Sequence, residues 1–325
     1  MPELDFKKIL ADGLFNNEKM LKKYRPSILR AYKNSLDEAR SLLGELYANF
    51  EGFEKYKIEK KFNRLKSLEK QIRAKLKELG YEDKVDAIFN KAEKKFIKQN
   101  KLAIVETFEN SYYERGFVFE KLTSMDLGFT KLSPKKIEAA ILNPLDKITW
   151  IKRSKAHSDK LKKTINEKIA QGFINGKPYS ETARELKDVT QKTTGQLIKV
   201  VQTEGHRVNT MGELASFDQV NEAAKDLGFE AVKTWNVSIG AAKEKRHELT
   251  DLDQQEADEN GLFHLGKLTA EGPGLFGIAE EDINCLCYLT FEIKGLSPTI
   301  RRDNESGKII GYKNYNEWAK GKGII

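Results

Sequence analysis

Cysteine is almost absent from this sequence: 325 residues contain 2, alongside 4 histidines. Cys285 and Cys287 are separated by one residue, a spacing that sets both thiols on one face of a strand and does not suit a normal disulfide. A disulfide framework is therefore excluded. No run of about 18 apolar residues occurs, so no transmembrane helix and no membrane partner are expected. The opening Met1-Pro2-Glu3-Leu4-Asp5-Phe6-Lys7-Lys8 has neither an apolar signal core nor a small-residue cleavage site, which points to a protein made and used in a cytoplasm. Catalytic signatures are missing too: no nucleophile elbow, no Walker loop and no dinucleotide fingerprint. His247-Glu248-Leu249-Thr250-Asp251 has aspartate where a zinc protease needs its second histidine. Asp251, Asp253, Asp258 and Glu259 lack the central glycine and the spacing of a calcium loop. Neither an enzyme nor a cofactor is expected.

What is present is charge and helical periodicity. Charged residues make up 33% of the chain, hydrophobic residues 39%, and the net charge is +8. This composition suits a globular protein with long, solvated helices, and the length allows two or three domains. The charge is unevenly spread. Between Lys55 and Lys98 basic residues outnumber acidic ones about two to one, and Lys131 to Lys168 is similarly biased. From Asp218 to Asp282 acidic residues are in clear excess. Such asymmetry suits one half that meets a polyanion and another that meets protein.

Apolar residues recur at helical spacing from Leu4 to Phe50, with Arg25-Pro26-Ser27 read as a helix start. Ile58, Phe62, Leu65, Leu68, Ile72, Leu76 and Leu79 describe an amphipathic helix with a Lys/Arg outer face, ended by Gly80. A second helix is expected from Glu82 to Arg115, on Val85, Ile88, Phe89, Ala92, Phe96, Ile97, Val105 and Phe108. Joined by a glycine turn, the two would form a long helical hairpin with a basic outer surface. From Gly116 to Thr149 the pattern loosens around Gly128, Ser133-Pro134 and Asn143-Pro144, with a short helix at 134–142. Trp150 restarts a helix, 172–178 interrupts it, and Ser180 is placed as the cap of the next. A further helix is expected from Thr194 to Phe217 and another from Val220 to Leu227. Strands follow at 231–237 and 287–293, with a hairpin or loop at 260–267.

The stretch from Val200 to Cys287 concentrates the unusual residues. Thr203-Glu204-Gly205-His206-Arg207 ends a helical run, Trp235 sits in a strand, and His247 follows Arg246. Then come Glu271-Gly272-Pro273-Gly274 and Asp282-Ile283-Asn284-Cys285-Leu286-Cys287. This order resembles the phage head-morphogenesis family, the Mu F-like minor head proteins of tailed bacteriophages. Thr203, Glu204, Arg207, Trp235, His247, Asn284, Cys285 and Cys287 match the family's pattern. Leu286 stands where the family usually has arginine. The turn Ala242-Lys243-Glu244-Lys245-Arg246 lacks the family's Asp-x-Arg-Thr-Arg, and no Asp-Gly follows the histidine.

The resemblance implies a minor head protein of the virion, inside the head near the portal, assembled in the host cytoplasm. Its implied partners are the portal protein, the scaffold or major capsid protein as further candidates, and double-stranded DNA bound without sequence preference during packaging or ejection. Lys60, Lys61, Arg64, Arg73, Lys94 and Lys95 are the candidate DNA contacts, neutralising phosphates without reading bases. Trp235 is taken as an anchor for docking on protein. Glu204 and Arg207, three apart on a helix, are read as an ion pair that clamps the loop after it.

The expected fold is mainly α with a small C-terminal α+β module and a long helical hairpin in the N-terminal half. Its divisions are a basic helical region at 1–115, a connector at 116–149, the head-morphogenesis domain at 150–295 and a polar tail at 296–325. In that tail Trp318 is a possible anchor, and the tail is too short for an added toxin domain. His206, His247, Cys285 and Cys287 hold the ligand types for a metal such as zinc, but a Cys-x-Cys gives two ligands at most from one loop, so no metal is assigned. The alternative function is a metal-dependent hydrolase or nuclease built on His247, Cys285 and Cys287.

Overall fold

The structure, a computed structural model, describes residues 6–49, 65–123, 125–142, 149–226, 228, 230–237, 251–294, 301–302, 309–310 and 315–325. Its helices are α1 (Phe6–Asn49), α2 (Leu65–Glu78), α3 (Tyr81–Thr123), α4 (Pro134–Leu142), α5 (Trp150–Ile174), α6 (Tyr179–Asp226), α7 (Ala279–Asp282) and α8 (Tyr315–Gly321). The strands are β1 (Ala231–Asn236), β2 (Phe263–Leu265), β3 (Leu268–Ala270), β4 (Tyr288–Ile293), β5 (Arg301–Arg302) and β6 (Ile309–Ile310). The fold is mainly α, with long helices first and a small strand-containing C-terminal part, as the periodicity led us to expect.

The chain forms two units. Unit 1 comprises Met1–Lys22, Leu102–Thr149 and Val201–Ile325; unit 2 comprises Lys23–Lys101 and Trp150–Val200.

The described elements of unit 2 are helices. The spacing that predicts its helices also fills its core, with Tyr32, Leu43, Ile72, Leu76, Val85, Phe89, Phe96, Leu161, Ile165 and Phe173 buried. Each such apolar side chain contributes about 1.5–3 kcal/mol on burial. Polar bonds fix how the helices meet: Tyr32 Oη lies 3.1 Å from Ser158 Oγ, Ser35 Oγ donates to the Ile88 carbonyl at 3.0 Å, and Tyr81 Oη donates to the Asn166 carbonyl at 3.2 Å. Gly80 ends the turn after α2 with φ +62°, a conformation that costs glycine nothing, and donates to the Lys77 carbonyl at 2.9 Å.

Unit 1 gathers its core around β1 and β4, which pair antiparallel with Trp235 opposite Leu289 and Lys233 opposite Phe291. Tyr112, Phe119, Phe129, Leu214, Phe217, Leu252, Phe263, Cys285, Cys287 and Trp318 are among the other members of the cluster. The other edge of β1 bonds to 254–257, where Trp235 N donates to the Gln255 carbonyl and Gln254 N to the Trp235 carbonyl, both at 2.8 Å. β2 and β3 form the hairpin expected near 260–267.

Four local expectations are corrected. Pro26 lies inside α1 rather than at a helix start, on an exposed position of the helix. Gly116 does not loosen α3, which continues to Thr123. A Cβ there would meet the Phe129 ring at 2.5 Å, so this glycine serves packing. Ser180 is not the cap of α6, since the helix opens one residue earlier and the Pro178 carbonyl takes the first bonds, from Glu181 N and Thr182 N. The three helices expected between 180 and 227 are one. The hydroxyls of Thr190 and Thr194 return to the carbonyls four residues back at 2.8 and 2.7 Å, so the threonine-rich stretch does not break it.

Candidate functional site

The residues singled out in the sequence from Thr203 to Arg207 lie on α6 within unit 1, and all but the glycine bury side chains there. Glu204 is 1% exposed and Arg207 3%. Arg207 Nε donates to Glu204 Oε2 at 2.9 Å, the geometry that a three-residue helical spacing allows. The rest of the guanidinium reaches outward. Nη1 donates to the Ala140 carbonyl at 3.4 Å and to Met211 Sδ at 2.9 Å, and Nη2 donates to the Ile141 carbonyl at 3.3 Å. Arg207 thus caps the C-terminal end of α4, where helix carbonyls have no partner of their own and favour a cation.

The Gly272-Pro273-Gly274 turn lies directly over this part of α6. A Cβ on Gly272 would come within 2.8 Å of Thr210 Cγ2, and one on Gly274 within 3.4 Å of His206 Cδ2 and 3.7 Å of Arg207 Cα. Asp282, 2% exposed, holds the rest of the loop by accepting from Phe276 N at 3.0 Å and Gly277 N at 2.7 Å. Burial pulls the Arg207 guanidinium down to about 10, against the pull of Asp282, which leaves it charged at neutral pH. Burial raises the Asp282 carboxyl, opposed by the backbone N–H groups of Phe276, Gly277 and Ile278.

A cleft of about 300 Å³ opens here, lined by Arg207, Met211, Leu262, Thr269, Ala270, Glu271, Gly274, Leu275, Gly277 and Asp282. Lys233 on β1 donates to the Glu271 carbonyl at 2.9 Å, and burial lowers its ammonium.

Trp235 is fully buried, its ring 5.3 Å from Phe263 and 5.7 Å from Phe276, so it fixes the interior of unit 1 and does not present itself to a partner. Asn284 has φ +61°, a left-handed backbone that asparagine tolerates better than most residues. This turn brings Cys285 and Cys287 inward on one side and leaves Leu286 46% exposed on the other. Both cysteines are buried thiols rather than halves of a disulfide. His247 lies outside the described residues. Among those described, no three of His, Cys, Asp and Glu come together in a way that could hold a metal ion.

Of the candidate DNA contacts, Lys60, Lys61 and Arg64 lie outside the described residues. Arg73 is exposed and bonded to Glu69 at 3.0 Å. Lys94 and Lys95 sit on the exposed side of α3 with Lys91, Lys98 and Lys101, opposite the buried Val85, Phe89, Ala92 and Phe96. At 1.5 Å per residue this lysine face is about 15 Å long. Lys91 pairs with Glu38 at 3.4 Å; the other four enter no ion pair among the described residues.

The chain is 30% identical to the minor head protein GP7 of Bacillus phage SPP1 over 325 aligned positions, covering 94% of this chain and 97% of GP7. The chain belongs to the phage minor head protein family. It is also 28% identical over 236 residues to the NAD(+)–arginine ADP-ribosyltransferase EFV of Enterococcus faecalis, across 73% of this chain and 47% of that protein. The chain therefore spans about half the length of that relative. No protein-family model and no solved structure matches.

In this member of the minor head proteins, several partners of the matched residues have no mark in the sequence. The Ala140 and Ile141 carbonyls accept from Arg207 across 67 and 66 residues of chain. The buried Arg115–Glu213 pair, 2.7 Å apart, likewise joins residues separated by 98 positions. Gly272 and Gly274 did carry a signal: two glycines around a proline mark a turn that must lie close to something.

Proposed function

We propose that the protein sits inside the phage head at the portal, docks there through unit 1, and touches packaged DNA through the lysine faces of unit 2. The observation that carries the reading is the match along nearly the whole of a minor head protein, joined to a lysine face on α3 that makes one ion pair among the described residues. Lysines spread along a helix bind phosphates as point charges and read no bases. The acidic excess of the C-terminal module argues for protein as the partner of unit 1.

We read the chain as a structural component and not an enzyme. The transferase activity in the name of the Enterococcus faecalis relative belongs to a protein about twice as long as the stretch it shares. The buried Glu204–Arg207–Asp282 set is bound up in holding α4 and the 272–282 loop, which supports an architectural role.

Binding of full chain to duplex DNA of unrelated sequences, followed by fluorescence anisotropy across a salt titration, tests the DNA contact. With four or five phosphates neutralised, the log–log slope is expected near about −4 and the same for every sequence. A flat titration rejects the phosphate contact. Co-purification with the portal protein tests the docking, and label transferred from NAD to protein or arginine would overturn the non-enzymatic reading.

A further inference from the structure

The cleft over Arg207 has an unbalanced charge. Its walls carry one cation, Arg207, and two carboxylates, Asp282 and Glu271; a third carboxylate, Glu204, lies behind the guanidinium, and the buried Lys233 ammonium beside the cleft is taken up by the Glu271 carbonyl. Arg207 has little left to offer a ligand, because Nε, Nη1 and Nη2 are already donating to Glu204, Ala140, Met211 and Ile141. An anion entering the cleft would meet Asp282 and Glu271 without gaining a free guanidinium edge. A cation would meet two carboxylates, one buried in the wall and one exposed at the rim.

The rest of the surface suits the same visitor. Met211, Leu262 and Leu275 give the cleft an apolar lining beside its carboxylates. Arginine and lysine carry an aliphatic stem under a charged head, so one side chain can lie along the apolar lining and reach the carboxylates. Phosphate-bearing partners are disfavoured by the same charges.

We propose that this cleft is a docking socket for a basic side chain, arginine or lysine, of a partner protein. The inference rests on the reading of unit 1 as the protein-docking half. Met211 lines the socket and is one of 4 methionines in the chain, so its methyl group reports occupancy directly. N-acetyl-L-arginine amide, titrated into the full chain labelled with 13C at the methionine methyls, is expected to shift the Met211 signal saturably while those of Met20 and Met125 hold still. N-acetyl-L-citrulline amide, similar in shape but uncharged, is expected to leave it in place. Glu271→Gln, a change at an exposed position, weakens the arginine response about two- to fivefold.

A Met211 signal indifferent to arginine amide, or moved equally by citrulline amide, overturns the socket, as does a shift driven by inorganic phosphate. A silent Met211 with portal capture intact rejects the socket alone; lost portal capture with a responsive Met211 rejects the wider docking reading.

Discussion

Arg207 concentrates more of unit 1 than any other single side chain described above, since it joins α6, the end of α4 and the loop held by Asp282. Replacing it with methionine keeps much of the volume and removes the buried cation that Glu204 is bonded to. Loss of one partner from a buried pair costs about 3–5 kcal/mol. We expect Arg207→Met to lose that much in urea unfolding followed by tryptophan fluorescence, with Trp150→Phe as background so that Trp235 and Trp318 report on unit 1. Glu204→Gln added to Arg207→Met recovers part of the loss, because it removes the carboxylate charge that the guanidinium was paired with. A loss under about 0.5 kcal/mol, the size of an ordinary surface change, would mean the guanidinium is dispensable. The pairing of Glu204 with Arg207 was legible, because three residues on a helix fix neighbours. The carbonyls of Ala140 and Ile141, 67 and 66 residues away, were not, because periodicity records which face is buried and not what buries it.

Among the elements, α8 is tied down more firmly than a polar tail suggests. Trp318 enters the core of unit 1, where its Nε1 donates to Glu120 Oε2 at 2.6 Å, and Lys322 bonds Glu120 at 2.9 Å and also Asp126. The hydrogen bond from Lys322 comes first among the causes holding the Asp126 carboxyl below 3.8. A carboxylate lowered on folding adds stability that is present above its unfolded value and lost as pH falls through its folded one. Asp126→Asn should therefore lower the melting temperature at pH 6, and the gap from the unaltered protein should close as pH drops below about 3.8. A gap that widened on acidification would remove Asp126 from the account. Trp318 was legible as an anchor, whereas its socket, built from Phe117, Glu120 and Phe129 roughly 200 residues earlier in the chain, was not. Continuous helices were the other blind spot. Gly116 and the threonines of α6 are breakers by local preference, overruled by a packed ring and by hydroxyls bonded to their own helix, and Pro26 lies inside α1 all the same.

At the scale of the whole molecule, charge is sorted: lysines line α3 in unit 2, and carboxylates crowd the C-terminal module of unit 1. Reversing Lys94, Lys95 and Lys98 to glutamate together is expected to weaken duplex binding on the order of tenfold or more at low salt and to flatten the salt slope by about 3. The change should leave stability within about 0.5 kcal/mol, since all three are exposed and outside the described ion pairs. Unchanged affinity would transfer the contact to other lysines or remove it. Much of this sorting was legible, because a run of lysines opposite a buried stripe shows in the sequence. The narrow cleft beneath the carboxylates was not, because it exists only where the 271–282 loop folds over α6. The two thiols give the molecule a built-in clock. Cys285 and Cys287 are the only sulfhydryls in the chain, and both are sealed in the interior of unit 1. A maleimide dye can therefore reach these thiols only when that interior opens, and the rate at which they are stained would time the opening.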